Sequence, residues 1–107
     1  MIDQTSKQSS ELQNILQKLR VYFPEIKEQY QIKEMGIFGS YVRGEEDDNS
    51  DIDILVEFSP DIEFGLFTFC HLENQLSEKL GRKVDLVTKD GLKPHLGKNI
   101  LKEVIYL

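Results

Sequence analysis

Apolar residues recur at helical spacing near the start of the chain. Leu12, Ile15, Leu16 and Leu19 fall at i, i+3, i+4 and i+7, the stripe that one face of an α-helix presents to a core. Ser10 followed by Gln13 has the form of a capping box that opens such a helix. Pro24 is expected to end it and to open a second, short helix through Ile26 to Tyr30, because proline lacks the N–H a helix interior needs but suits a first turn. The pattern then changes from periodic to continuous. Ile32 to Phe38 reads as a strand leading into Gly39-Ser40, and Tyr41, Val42 and Arg43 begin a short helix that Gly44 stops. Glu45 to Asn49 is acidic and loop-like, and Asp51 to Phe58 is a second strand closed by a Ser59-Pro60-Asp61 turn. Phe64 to Leu80 is mostly helical, with Leu66, Phe69, Cys70, Leu76 and Leu80 expected to face inward, and Gly81 suits a left-handed helix stop. Lys83 to Thr88 is a third strand. Pro94 opens a last helix with Leu96, Ile100 and Val104 on one side.

The expected order is helix, helix, strand, helix, strand, helix, strand, helix. That order predicts an α/β (or α+β) fold, a small mixed β-sheet flanked by helices. No internal repeat, low-complexity tract or linker interrupts it. Residues 1–9 are polar and expected to be disordered, and residues 10–107 to form a single domain. With 107 residues there is room for one small core and none for a separate acceptor-binding domain.

Charge and cysteine usage narrow the class. A net charge of −6 leaves no basic stripe for nucleic-acid phosphates, so direct nucleic-acid binding is not expected. A nucleotide substrate stays open, because a bound cation can supply positive charge locally. One cysteine, Cys70, excludes an internal disulfide framework and a multi-cysteine zinc site; in its apolar surroundings it reads as a small core residue. The N-terminus lacks a basic stretch followed by an apolar run, and no apolar segment approaches the ~20 residues that cross a bilayer. A cytoplasmic protein without a membrane anchor is the expectation.

Candidate chemistry concentrates between Gly39 and Val56. A glycine between strand and helix lets the backbone turn sharply and approach a ligand, and the first N–H groups of the following helix suit phosphate. Ser40 adds a hydroxyl. Taken alone, Gly-Ser after a strand is more often an ordinary turn, and the Gly-Lys-Ser/Thr ending of a P-loop is missing. Asp51 and Asp53 lie two apart in a strand, which sends both carboxylates to one face while Ile52 and Ile54 take the other. Such acids are either an exposed strand start or a site for a hard divalent cation, with magnesium, manganese or calcium preferred over zinc. Asp85 weighs toward the second, since it again interrupts an apolar strand, between Val84 and Leu86. If the two strands are neighbours, three carboxylates converge, enough to hold two metal ions. An EF-hand reading of Asp47, Asn49 and Asp51 fails, because its glycine position holds Ile52 and its last ligand position holds Phe58. His71 and His95 have no metal-ligand spacing.

The segments GSYVRG and SDIDILV, followed by the isolated acid of KVDLV, together resemble the signature of the DNA polymerase beta-like nucleotidyltransferase superfamily. In particular the chain resembles a minimal nucleotidyltransferase (MNT) domain, commonly the antitoxin of HEPN–MNT toxin–antitoxin pairs. The resemblance runs from about Leu12 to the end and implies roles residue by residue. Gly39 and Ser40 would hold the nucleotide phosphates, with Ser50 also at the nucleotide. Asp51, Asp53 and Asp85 would be catalytic and would ligate two magnesium ions, or manganese in their place, with Asp85 also helping to activate the acceptor hydroxyl. Arg43 would approach the triphosphate or brace its own helix. The implied reaction is transfer of AMP from ATP to a hydroxyl, a tyrosine above all, of a cognate HEPN toxin. A purely binding antitoxin is the alternative from outside enzymology. Transfer to a small molecule or to an RNA end is the alternative within it.

Overall fold

The computed structural model describes residues 10–60, 65–92 and 94–107, and all of these but the Leu96 side chain. The expected disorder of residues 1–9, Asp61 of the turn, Phe64 at the helix start and the inward placing of Leu96 lie outside that set. The elements are α1 (Ser10–Tyr30), β1 (Ile32–Phe38), α2 (Ser40–Arg43), β2 (Ile52–Phe58), α3 (Leu66–Leu80), β3 (Val84–Thr88), a 3-10 turn (Lys89–Gly91), α4 (Pro94–Glu103) and β4 (Ile105–Tyr106). Four strands form one mixed sheet in the order β3-β2-β1-β4, with β2 and β3 parallel and the other pairs antiparallel. The mixed sheet flanked by helices is the architecture the sequence pattern predicts.

The first helix departs from expectation. Pro24 lies inside α1, which runs unbroken to Tyr30. The buried stripe of Leu12, Ile15, Leu16 and Leu19 continues in phase through Tyr22, Ile26 and Tyr30, so one helix buries what two were expected to share. A proline inside a helix costs about 3 kcal/mol. Burial of each large apolar side chain contributes about 1.5–3 kcal/mol, so Tyr22, Ile26 and Tyr30 together outweigh it. Pro24 itself is exposed, where water can serve the backbone groups it leaves unpaired.

Both faces of the sheet are used. Met35 and Ile37 of β1, Ile52, Ile54 and Val56 of β2, and Val84 and Leu86 of β3 join the core cluster with α1 and with Leu72, Leu76 and Leu80 of α3. The opposite face carries Phe38, Asp53, Leu55 and Asp85, the alternate positions of the same strands. Leu66 and Cys70 were expected inward, but both are exposed. The inward stripe of α3 runs through Leu72, Leu76 and Leu80, with Phe69 packed against it. Leu66 opens the helix before that stripe begins, and Cys70 points off it. Phe67 stands beside Leu66, 92% exposed.

Two side chains of α3 fix the free edge of β3. Ser77 Oγ accepts from Val84 N at 3.0 Å, and Glu73 Oε2 accepts from Leu86 N at 2.9 Å. These are the outward N–H groups on either side of Asp85. Pairing them protects an edge strand and holds its register. The C-terminal residues also do something the pattern hid: after α4 the chain reverses into β4, whose Ile105 and Tyr106 pair with Ile37 and Gly36. A Cβ at Gly36 would stand 2.7 Å from Ile105 O and from Val104 Cγ2, so only glycine lets the last strand close here.

Candidate active site

The register of β2 and β3 decides the site. Asp53 and Asp85 are direct partners across the parallel pair, and Phe38 of β1 pairs with Asp53 on its other side. Paired positions share a face, so both carboxylates leave the face opposite the α1/α3 core. Asp51 lies just before β2, at the same end of the sheet. Its carboxylate is 3.9 Å from Lys83 Nζ, an exposed pair worth about 0–1 kcal/mol.

Gly39 carries the chain from β1 into α2 at φ 87° and ψ −154°, a region essentially reserved for glycine. A Cβ there would lie 2.0 Å from Asp53 Oδ2. The turn is therefore pressed against the carboxylate, and no other residue fits between. Gly39 O accepts from Val42 N and Arg43 N, at 3.0 and 3.1 Å, which closes the turn of α2. Ser40 is half-buried at its first position. The expected glycine-turn, serine and acid pair are thus contiguous.

Ser50, expected at the nucleotide, stands in the acidic loop just before Asp51. Its hydroxyl accepts from Asp47 N at 2.9 Å, while Asn49 N donates to Asp47 Oδ1 at 2.8 Å. These bonds fold the acidic loop into a compact turn that delivers the chain to Asp51. Arg43 is engaged by acids on both sides: Nε donates to Glu45 Oε1 at 2.9 Å and Nη1 to Glu103 Oε2 at 3.0 Å. Glu103 also accepts from Gly39 N at 2.6 Å. Nothing in the sequence pattern pointed to Glu103, a single acid in the tail. Its partner Gly39 lies 64 residues earlier, beyond the reach of any local spacing rule.

Electrostatics mark Asp53 out. Burial first, then the neighbouring charges of Asp85, Asp51 and Glu103, push its carboxyl up to about 6 from 3.8, while Arg43 pulls the other way. Beside the burial, the neighbouring acids are like-charge crowding of the kind a divalent cation relieves. Among the described residues, no three His, Cys, Asp or Glu side chains stand close enough as they are to hold a metal ion. Carboxylates without a cation repel, and Asp51 leans to Lys83 instead. The donor set nonetheless fits a hard cation: all its atoms are carboxylate oxygens from one end of two adjacent strands. Asp85 is exposed and Asp51 half-exposed, so both have room to rotate inward.

With this geometry the chain can be set beside known proteins. Residues 19–107 match the nucleotidyltransferase domain family. The protein adenylyltransferase MntA of Thermococcus cleftensis is 44% identical over 96 residues, covering 90% of this chain and 95% of that one. A Methanocaldococcus jannaschii protein with a provisional protein adenylyltransferase name is 45% identical over 104 residues, covering 94% and 99% of the two chains. Among solved structures, one provisionally described as a minimal nucleotidyltransferase superposes with a TM-score of 0.74 at 32% identity, covering 90% and 95%. A toxin–antitoxin complex crystallised with AMP-PNP superposes with a TM-score of 0.63 at 26% identity, covering 92% of this chain and 72% of that one.

Proposed function

This chain belongs to the nucleotidyltransferase domain family, and from that footing we propose that it is an antitoxin that transfers AMP from ATP to a hydroxyl, a tyrosine, on a HEPN-domain toxin. The observation that carries this reading is the in-register pair Asp53 and Asp85 with the Gly39 turn pressed against Asp53. Phosphate binding and acid chemistry then meet at one end of the sheet. The relatives named as protein adenylyltransferases support a protein acceptor and an adenylyl donor, and the complex with AMP-PNP supports ATP and a toxin partner.

In this reading Ser40 and the first free N–H groups of α2 bind the phosphates of ATP. Asp51, Asp53 and Asp85 hold magnesium, or manganese in its place. When bound, the two ions neutralise the triphosphate and stabilise the charge that develops as pyrophosphate leaves. Asp85, the more exposed partner of the pair, faces the incoming acceptor and takes up the proton of its hydroxyl. The hydroxyl oxygen forms a bond to the α-phosphorus of ATP as the bond from that phosphorus to the bridging oxygen breaks. The products are an AMP ester of the toxin and pyrophosphate, and the added phosphate repels the RNA phosphates that a ribonuclease toxin must bind.

Labelled ATP tests the bond that breaks. With toxin and magnesium present, label in the α-phosphate should become covalently attached to toxin, and label in the γ-phosphate should appear only in pyrophosphate. Transfer of the γ-label, or of neither, would reject adenylyl transfer.

A further inference from the structure

Glu103 is the last residue of α4, and its carboxylate reaches the turn on which the proposed site is built. Oε2 accepts from Gly39 N at 2.6 Å and from Arg43 Nη1 at 3.0 Å, while Oε1 lies 3.1 Å from the same nitrogen. The Glu103 side chain is only 22% exposed. Gly39 needs an external hold. Its conformation is one that few residues favour, Asp53 stands close against its flank, and α2 behind it has only four residues. Of the groups that could hold Gly39 in place, a backbone carbonyl would offer one neutral bond. A carboxylate offers a charge-assisted one and binds the guanidinium of the same short helix at the same time.

We propose that Glu103 is a positioning residue: a latch from the C-terminal helix that sets the Gly39–Ser40 turn for the triphosphate and holds Arg43 as the brace of that turn. The inference rests on the proposed function for the identity of the ligand. Glu103 spends the Gly39 N–H on the protein itself and leaves the N–H groups of the next residues to face phosphate. It also keeps Arg43 pointed back along the tail, so that this cation braces the turn rather than neutralising ligand. Because β4 follows Glu103 after one intervening residue and pairs with Gly36 and Ile37, the sheet anchors the latch on the strand that leads into the Gly39 turn.

Two variants separate the latch from the general stability of the tail. Glu103→Ala removes both bonds, and Glu103→Gln keeps a neutral acceptor for Gly39 N–H. Thermal melts establish that each is folded. Amide hydrogen exchange at Gly39 is then read in the metal-free chain, and ATP kinetics in the full reaction with toxin and magnesium. In Glu103→Ala, Gly39 exchange should accelerate at least tenfold and KM for ATP should rise at least fivefold, with a smaller change in kcat. Glu103→Gln should restore much of the exchange protection and part of the KM. Arg43→Ala should raise KM by less, and adding it to Glu103→Ala should raise KM no further. Unchanged Gly39 exchange and KM in a folded Glu103→Ala would overturn the proposal. A lower KM would overturn it too, by showing that the carboxylate competes with the triphosphate. If wild type binds no nucleoside triphosphate, the proposed function fails, and Gly39 exchange still decides whether the latch exists.

Discussion

Asp53 on β2 and Asp85 on β3 stand directly opposite each other in a parallel register, two carboxylates side by side on one face of the sheet. Opposed like charges destabilise a strand pair. Here the cost is accepted at the end of the sheet where Gly39 also closes on Asp53.

Removing the central acid should separate function from folding. Asp53→Ala is expected to lower adenylyl transfer by roughly 10²-fold or more, the scale on which loss of one preorganised electrostatic contact acts. The metal-free fold should hold or gain slightly in stability, since the substitution relieves like-charge crowding. Urea melts in chelator, alongside transfer assays, check both halves. Wild-type transfer rates in this variant would show that the site lies elsewhere.

The pH dependence follows from the direction of the Asp53 shift. Its folded carboxyl titrates near 6, above the 3.8 of an ordinary aspartate. The folded state therefore holds the proton more tightly than the unfolded state, and ionisation of Asp53 opposes folding above pH 6. Asp53→Asn, which cannot ionise, should be more stable than wild type at pH 7–8 in chelator. That advantage should shrink as pH falls through 6 toward 4. Paired urea titrations across this range measure it. A gap that does not change with pH would contradict the assignment.

Gly39→Ala should fail on two counts. Its backbone sits where non-glycine residues cost about 1–3 kcal/mol, and its Cβ would meet Asp53 Oδ2 at 2.0 Å. Combining it with Asp53→Ala removes the contacts to Oδ2 and Cγ but keeps the strain and the 3.1 Å approach to Cβ. The double variant should therefore lose less stability through Gly39→Ala than wild type does, without losing nothing. Equal penalties in the two backgrounds would mean that the turn and the carboxylate are not in contact.

Ser40→Ala should weaken transfer mildly. The backbone N–H groups of the turn remain, so the loss is one hydroxyl contact worth about 0.5–1.5 kcal/mol, or roughly 2- to 13-fold in kcat/KM. Steady-state kinetics in ATP reads it directly. A loss as deep as that of Asp53→Ala would make Ser40 part of the acid chemistry rather than of phosphate binding.

Much of this was legible in the residues, for identifiable reasons. β2 and β3 announce themselves as apolar runs, and the aspartates that interrupt them, Asp53 and Asp85, belong to the candidate site. Register made the difference between three scattered aspartates and a pair. That register is a pairing between strands 32 residues apart, with the outer edge of β3 held by Ser77 and Glu73 of α3, and no local pattern encodes either contact. Pro24 misled because local propensity argues for a break, while the apolar stripe of α1 passes through it in phase. β4 was hidden in a tail whose Ile100 and Val104 suit a helix, and two residues are too few to show alternation. No local pattern marks Glu103, since its meaning comes only from Gly39 and Arg43 far back in the chain.

The most direct test of the central claim is the mass of the toxin after it has met this protein. A HEPN toxin should be incubated with the chain, ATP and magnesium, separated from it, and then measured by intact mass and by ribonuclease activity. The account predicts a toxin heavier by one or more AMP groups on tyrosine, inactive after separation, and unmodified when Asp53→Ala replaces wild type. A toxin of unchanged mass that regains full activity once the chain is removed would contradict it.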